Sequence, residues 1–149
     1  MERYEKLRLN FFSCDLKYGK IELRPGHNCD FFFIVNNPVE KEFMKKQALQ
    51  MVLSQCKHFE FFGRYANEWH NAIDEAHIAI YPNASEEEIV MMVTDDTLED
   101  FVEELRFYLS CRCIVPFDIY LIYDDVDLYK QVLERIKINY SIARPDMLY

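Results

Sequence analysis

The sequence predicts an α/β fold: a three-layer sandwich in which a mostly parallel sheet of about five strands carries helices on both faces. Two observations lead to this prediction. Short apolar runs alternate four times with segments of helical periodicity, which is the pattern of strand–helix units in a parallel sheet. The chain has 149 residues, of which 50% are hydrophobic and 15% are aromatic, and this suits one core. We therefore expect residues 1–149 to form a single domain.

The first strand, "KLRLNFF" at residues 6–12, is predicted from its alternation of apolar and polar side chains. It belongs to an N-terminal segment, residues 1–29, whose remainder contains two glycines and a proline and is expected to be mostly loop. No helix is predicted directly after this strand. The first strand is therefore free to lie antiparallel at one edge of the sheet.

Four strand–helix units are predicted between residues 30 and 138. Their strands are "DFFFIVNN" (30–37), "HFEFF" (58–62), "EIVMMVTDD" (88–96) and "FDIYLIYDD" (117–125). In the first helix, Asn37 is expected as the N-cap, Pro38 as the first helical residue and Glu40 as the partner in a capping box. In the second helix, Trp69 lies on the apolar face and is expected in the core. For the tail, residues 139–149, the sequence predicts no element.

The charge of the chain limits the kinds of partner that it can bind. The formal net charge is −9, which opposes binding to nucleic acid and to anionic membranes, because both are negatively charged. A basic protein is compatible with this charge. The chain starts with charged residues, has no apolar run long enough for a membrane span, and contains an odd number of cysteines. We therefore expect a cytoplasmic protein with reduced thiols.

Few catalytic motifs are compatible with the sequence. Glycines occur only at positions 19, 26 and 63, so neither of the common glycine-rich phosphate loops is present. Cys56 with His58 or His70 is a weak candidate for a thiol nucleophile and its base. Cys56 precedes its strand and would lie at the amino edge of the sheet, whereas a nucleophile more usually lies at the carboxyl edge. We predict no catalytic residue and no cofactor, and we favour a function without catalysis.

The negative charge is concentrated between residues 86 and 104, a segment that we call the acidic block. It contains nine carboxylates and no lysine or arginine: Glu86, Glu87, Glu88, Asp95, Asp96, Glu99, Asp100, Glu103 and Glu104. A solvated helix face is one explanation of this pattern. The other is a docking surface for a basic partner, of the kind that small acidic inhibitor or immunity proteins use. This leading hypothesis assigns partner binding to Glu86, Glu87, Glu88, Glu99, Asp100, Glu103 and Glu104.

A second hypothesis places a metal ion at the strand ends. In open α/β sheets, ligands bind beyond the carboxyl ends of the strands, and there the sequence has two acidic pairs, Asp95-Asp96 and Asp124-Asp125. On neighbouring strands these four carboxylates would hold a divalent ion such as Mg²⁺ for a small enzyme or sensor. If these residues instead cap the helices that follow the strands, their role is structural only. A third hypothesis is a homo-oligomer whose interface is formed by the surplus aromatic side chains.

Three segments carry a resemblance to a known family: "CKHFEFFGRYANEWHNAID", "EIVMMVTDDTLEDFVEELRFYLSC" and "FDIYLIYDD". Over roughly residues 30–125, the chain resembles a family of small bacterial α/β proteins known as a domain of unknown function. The matching positions are Cys56, Gly63, Trp69, Asp74 and the helix that contains Phe101 and Phe107. The resemblance implies the α/β fold and a bacterial source, and it implies no catalytic residues.

Overall fold

The computed structural model of the chain describes residues 9–19, 21–24, 26–111 and 117–139. In this part of the chain the strands are β1 (Leu9–Asp15), β2 (Asn28–Ile34), β3 (Gln55–Phe62), β4 (Met91–Thr94) and β5 (Phe117–Tyr123). The helices are α1 (Lys41–Leu53), α2 (Ala66–Ile80), α3 (Leu98–Cys111) and α4 (Val126–Asn139). The strand order is β1–β5–β2–β3–β4, and all neighbouring pairs are parallel. The predicted α/β fold is confirmed.

β1 lies at an edge of the sheet, but the antiparallel orientation that the sequence left open for it is wrong. β1 pairs in parallel with β5, from Leu9 opposite Phe117 to Asp15 opposite Tyr123. The connection from β1 to β2 passes β5, which comes later in the chain, and its described residues, 16–19, 21–24 and 26–27, form no α-helix. Leu16 and Ile21 of this connection are buried in the core, so the loop itself takes the place that a crossover helix would fill.

A buried carboxylate at the amino end of β5 holds this connection. Asp118 is fully buried, and its Oδ2 lies 3.2 Å from Nε of Arg24. Its Oδ1 lies 3.1 Å from Nδ1 of His27 and accepts a hydrogen bond from Nδ2 of Asn10 at 3.0 Å. Such partners are necessary because an unpaired buried carboxylate is costly in free energy.

The sheet separates two hydrophobic cores. Phe31 and Phe33 of β2 pack under α1 and α2 together with Trp69, which is fully buried as predicted. Phe32 and Ile34 of the same strand pack against α3 and α4. Successive side chains of a strand point to opposite faces, so the continuous apolar run of β2 supplies both cores.

The start of α1 differs from the prediction. The helix begins at Lys41, its N-cap is Glu40, and no side chain caps it. The predicted capping box from Asn37 to Glu40 is therefore wrong. Asn37 instead makes hydrogen bonds to Asp124 at the end of β5, and this contact holds the chain extended before the helix.

The two helices on the other face begin with side-chain caps. Oγ1 of Thr97 accepts a hydrogen bond from the backbone N–H of Asp100 at 3.1 Å at the start of α3. Oδ1 of Asp125 accepts one from the N–H of Leu128 at 3.1 Å at the start of α4. The structural role that the sequence offered for Asp125, as a helix cap, is thus confirmed.

Within the described ranges, no helix combines the length and the apolar character that a membrane crossing demands. Two predicted segments fall wholly or partly outside the described residues. They are the tail at residues 139–149, of which only Asn139 at the end of α4 is described, and residues 6–8 of the predicted first strand.

Gly63 makes the tight turn between β3 and α2. Its φ is +123°, and a Cβ atom at this position would lie 2.4 Å from the carbonyl oxygen of Val35. That oxygen accepts the hydrogen bond from the backbone N–H of Tyr65 at 2.9 Å. The ends of β2 and β3 therefore approach each other closely only because residue 63 has no side chain.

We predict that Gly63→Ala lowers the free energy of unfolding by more than about 2 kcal/mol, because the new methyl group collides with backbone. Gly19→Ala is the matched control. Gly19 also has a positive φ, +104°, but no atom lies within 4 Å of its Cβ position, so only the backbone strain of roughly 1 kcal/mol remains. Urea denaturation followed by circular dichroism measures both losses. Equal losses would contradict the close approach.

Candidate functional site

The carboxyl ends of β2 and β5 form the topological switch point of the sheet, where open α/β sheets bind ligands. In this protein, hydrogen bonds within the chain fill that crevice. The Asp124 carboxylate accepts from the backbone N–H groups of Asn36 at 2.7 Å and Asn37 at 2.9 Å. Asp125 accepts from Nδ2 of Asn36 at 2.9 Å and from the Leu128 N–H. All four carboxylate oxygens of this pair thus have a donor.

The two acidic pairs that were predicted to share a metal ion lie far apart. Asp95-Asp96 follows β4 at one edge of the sheet, and β3 and β2 separate β4 from β5. Three strand spacings correspond to roughly 14 Å, so a single ion cannot contact both this pair and Asp124-Asp125. The expectation that these pairs sit on neighbouring strands is wrong.

A different group of titratable side chains, which we call the His58 cluster, lies between β3 and α3. It consists of His58, Glu60, Asp95 and Glu104. His58 and Glu60 are 1% and 0% exposed; they alternate along β3 with two phenylalanines and so face α3. Nε2 of His58 contacts Oε1 of Glu60. Glu104 reaches them from α3, and one ligand atom from each of these three residues lies within 4.8 Å of the others.

Asp95 joins the cluster from the end of β4. Its backbone N–H donates to the carbonyl of Phe61 at 2.8 Å, and its carboxyl group hydrogen-bonds with that of Glu60. Burial raises the pKa of the Glu60 carboxyl to about 7, and burial together with Glu60 raises the pKa of Asp95 to about 8. A hydrogen bond between two carboxyl groups requires a proton on one of them, so the pair retains a proton near neutral pH.

Aromatic and acidic residues surround the His58 ring. Its centroid lies 4.4 Å from that of Tyr108 and 5.6 Å from that of Phe32. Asp30, which is also fully buried, is the register partner of His58 on β2. Glu104 is only partly buried and lies on the solvent side. The cluster is therefore a low-dielectric, acid-rich site with its opening at α3.

Sequence reasoning did not find this cluster. The sequence suggests His58 only as a base for Cys56, and it suggests Asp95 as a metal ligand at the strand ends, as a helix cap or as a member of the acidic block. The signal that was present is Glu60, a carboxylate in the middle of the apolar strand "HFEFF". A charged residue in a strand covered on both faces needs a partner, but the sequence predicts no strand order and so does not indicate which helix supplies that partner.

The acidic block divides into inward and outward parts. Glu104 and Asp95 belong to the His58 cluster. Glu88 forms a capping box with Ser85, accepting from its N–H and its Oγ at 3.0 Å, and Glu103 accepts a hydrogen bond from Arg106 at 3.1 Å. Glu103 is exposed, and so are the remaining five members: Glu86, Glu87, Asp96, Glu99 and Asp100.

The other residues considered for chemistry have structural contacts. Nδ1 of His70 lies 2.7 Å from Oγ1 of Thr94, and Nε2 of His77 lies 2.7 Å from the carbonyl oxygen of Glu88. These contacts tie α2 to β4 and to the start of the acidic block. Burial raises the pKa of the Cys56 thiol to about 11, so the thiolate that a nucleophile requires is scarce at neutral pH.

We predict that the free energy of unfolding of the metal-free protein falls as the pH rises from about 5 to about 8. The folded pKa values of Glu60 and Asp95 lie above the ordinary values of carboxyl groups, so the folded state binds more protons than the unfolded state across this window. The expected decline is roughly 1–3 kcal/mol. Urea unfolding in buffer with EDTA measures it at several pH values.

Glu60→Gln should flatten this pH dependence, because a neutral amide can donate to Asp95 without a shared proton. Glu99→Gln, which removes an exposed carboxylate of α3, should leave the dependence as it is. A wild-type stability that stays constant between pH 5 and 8 would show that the buried pair holds no extra proton.

Asp124→Ala should lower the free energy of unfolding by roughly 2–3 kcal/mol, because two backbone N–H groups lose their charged acceptor. Asp127→Ala, at an exposed position in the first turn of α4, should cost no more than about 0.5 kcal/mol. Thermal unfolding of the two variants compares them. Equal costs would mean that the hydrogen bonds at the switch point contribute nothing to stability.

Comparison with known families assigns the chain to a family but identifies no activity for it. A family model described as a domain of unknown function, DUF7684, matches residues 18–134, a range that includes the whole His58 cluster. Among curated proteins, no significant match is found. The resemblance to a domain of unknown function is confirmed, and the bacterial source stays a prediction. The chain belongs to the DUF7684 family of domains of unknown function.

Proposed function

We propose that the protein is a non-enzymatic binding protein of the cytosol that docks a basic partner protein on the β4 edge of its sheet. The observation that carries this proposal is the combination of exposed apolar and acidic side chains at that edge. In the described part of the chain β4 is an edge strand that pairs only with β3. We call this region the edge surface: Glu86, Glu87, Ile89, Met91, Asp96, Glu99, Asp100 and Phe107.

Three large apolar side chains form the centre of the edge surface. Ile89 and Met91 are each 58% exposed and lie two residues apart in extended backbone, so they point to the same side. Phe107 of α3 is 55% exposed and packs edge-on against Tyr108. Tyr108 in turn packs on His58, which is the register partner of Met91. Exposed apolar residues that cluster in this way are typical of binding sites.

Exposed carboxylates of the acidic block lie on the same segments of the chain: Glu86 and Glu87 precede Ile89, and Asp96, Glu99 and Asp100 lie between Met91 and Phe107. An apolar centre with a charged rim is the common composition of a protein interface. The sign of the rim selects a partner with lysine and arginine around an apolar contact, and it accelerates association with such a partner. The same carboxylates would also protect a short edge strand from pairing with other chains. A measurement of partner binding distinguishes this protective role from a docking role.

An inhibitor or immunity protein is the type of binding protein that fits this surface best. A protein of this type covers a basic cleft of another protein by charge complementarity and needs no catalytic group of its own. The thiols of Cys14, Cys29 and Cys56 are unpaired, which suits the reducing cytosol.

We predict that the triple variant Asp96→Lys, Glu99→Lys, Asp100→Lys binds the partner at least about 100-fold more weakly than the wild type. The partner is first captured from cells of the source organism, identified by mass spectrometry and then purified. Isothermal titration calorimetry measures its Kd at two salt concentrations. The proposal expects a basic partner and a wild-type affinity that weakens at least about tenfold from 50 to 200 mM salt.

The matched control is Glu42→Lys, Glu68→Lys, Glu75→Lys on α1 and α2. It reverses the same number of exposed charges and also places lysines in first helical turns, so it has a similar cost to the helices. It should change Kd by less than about threefold. An acidic partner, or equal affinities of the two triple variants, would refute docking on the edge surface.

A further inference from the structure

The His58 cluster contains buried oxygen atoms that need a positively charged or donating neighbour. Glu60 is fully buried, and apart from the carboxyl group of Asp95 no donor among the described residues reaches its Oε2. Oδ2 of Asp95 is likewise buried, and apart from the carboxyl group of Glu60 it has no hydrogen-bond partner in that part of the chain. Buried carboxylate oxygens without donors are costly. A cation placed among these groups would therefore be bound favourably.

The ligand types and their spacing suit a metal ion. One ring nitrogen of His58 and one carboxylate oxygen each from Glu60 and Glu104 lie within 4.8 Å of one another. Ligand atoms around one metal ion with bonds of about 2.0–2.2 Å are roughly 3–4 Å apart, so small side-chain adjustments complete the site. His58 and Glu60 are fixed on one strand by burial, and Glu104 on α3 is the adjustable member.

We infer that the His58 cluster binds one divalent transition-metal ion of the zinc and manganese class, with His58, Glu60 and Glu104 as its protein ligands. The imidazole nitrogen favours these ions over Mg²⁺ and Ca²⁺, which take oxygen ligands. In binding, the ion replaces the direct contact between His58 and Glu60. Asp95 holds Glu60 by its hydrogen bond, which is the usual arrangement around a ligating carboxylate.

The surroundings of the cluster give such an ion a path and a role. Glu104 is partly exposed, so the ion enters at α3, and water completes its coordination on that side. The ligands come from β3 and from α3, two elements that are far apart in the chain. A bound ion therefore links α3 to the sheet and stabilises the folded state by mass action.

This inference is independent of the proposed partner. The edge surface uses the outward carboxylates, whereas the ion uses carboxylates that point inward. The charge reversals at Asp96, Glu99 and Asp100 leave all three metal ligands in place, and the variants below leave the apolar centre of the edge surface in place. Failure of one proposal is thus distinguishable from failure of the other.

The test starts from protein freed of metal by EDTA and dialysis, titrated with ZnCl₂ and, separately, MnCl₂. Calorimetry should show one site per chain for at least one of these ions, and the melting temperature should rise by at least about 3 °C in excess metal. Glu104→Gln should weaken binding at least about tenfold. Glu99→Gln, an exposed carboxylate on the same helix, should bind as the wild type does.

A measurement on the wild-type protein avoids any dependence on variants that fold poorly. The chain has four histidines, and two-dimensional ¹H–¹⁵N spectra of their rings should show that Zn²⁺ shifts the His58 signals and leaves those of His27, His70 and His77 in place. Absence of a stoichiometric site for both ions below about 100 µM, unchanged affinity in Glu104→Gln, or a response at another histidine would each overturn the inference.

Discussion

The burial of carboxyl groups in a sheet covered on both faces is the constraint that shapes this protein. A carboxylate removed from water requires donors, an opposite charge or a proton. Asp118 is paired with Arg24 and His27 at the amino edge of the sheet, and Asp124 receives backbone N–H groups at the carboxyl edge. Glu60 meets the same requirement by a different means, with His58 and a carboxyl group that shares a proton.

The three ways in which these buried carboxyl groups are accommodated have different consequences for function. The contacts of Asp118 fix the β1–β2 connection, and those of Asp124 fill the crevice that other α/β proteins use for ligands. Both groups are fully engaged by the chain itself. Glu60 is the exception because its partners, His58 and Asp95, are themselves titratable, so its protonation depends on pH. The adaptable chemistry of this protein thus lies under α3, away from the switch point.

The sequence predicted local features well. The apolar run of β2 indicated a strand covered on both faces, the periodicity of α2 placed Trp69 in the core, and Asp125 was correctly offered as a helix cap. Strand order was not predictable in the same way, because the crossover from β4 to β5 passes two strands and no local pattern encodes that distance. The orientation of β1, the separation of the two acidic pairs and the meeting of Glu60 with Glu104 all depend on this order.

The acidic block has a physical explanation only when the fold is known. Along the sequence it is one run of nine carboxylates, but β4 and α3 turn Asp95 and Glu104 inward, and Asp96, Glu99 and Asp100 outward. Of the inward members, Asp95 shares a proton with Glu60, and Glu104 lies close to His58 and Glu60. The outward members are exposed to solvent, and the edge surface that we propose as a docking site includes them.

Direct titration of the buried carboxyl groups tests the central claim. In metal-free protein labelled with ¹³C at the side-chain carboxyl carbons, nuclear magnetic resonance follows Glu60 and Asp95 from pH 3 to pH 9. The structure predicts that the pair titrates as a coupled unit with apparent pKa values well above the ordinary range, near the values of about 7 and about 8 that burial produces. Two independent titrations near pH 4 would show that both groups are ionised in the folded protein and would contradict the account.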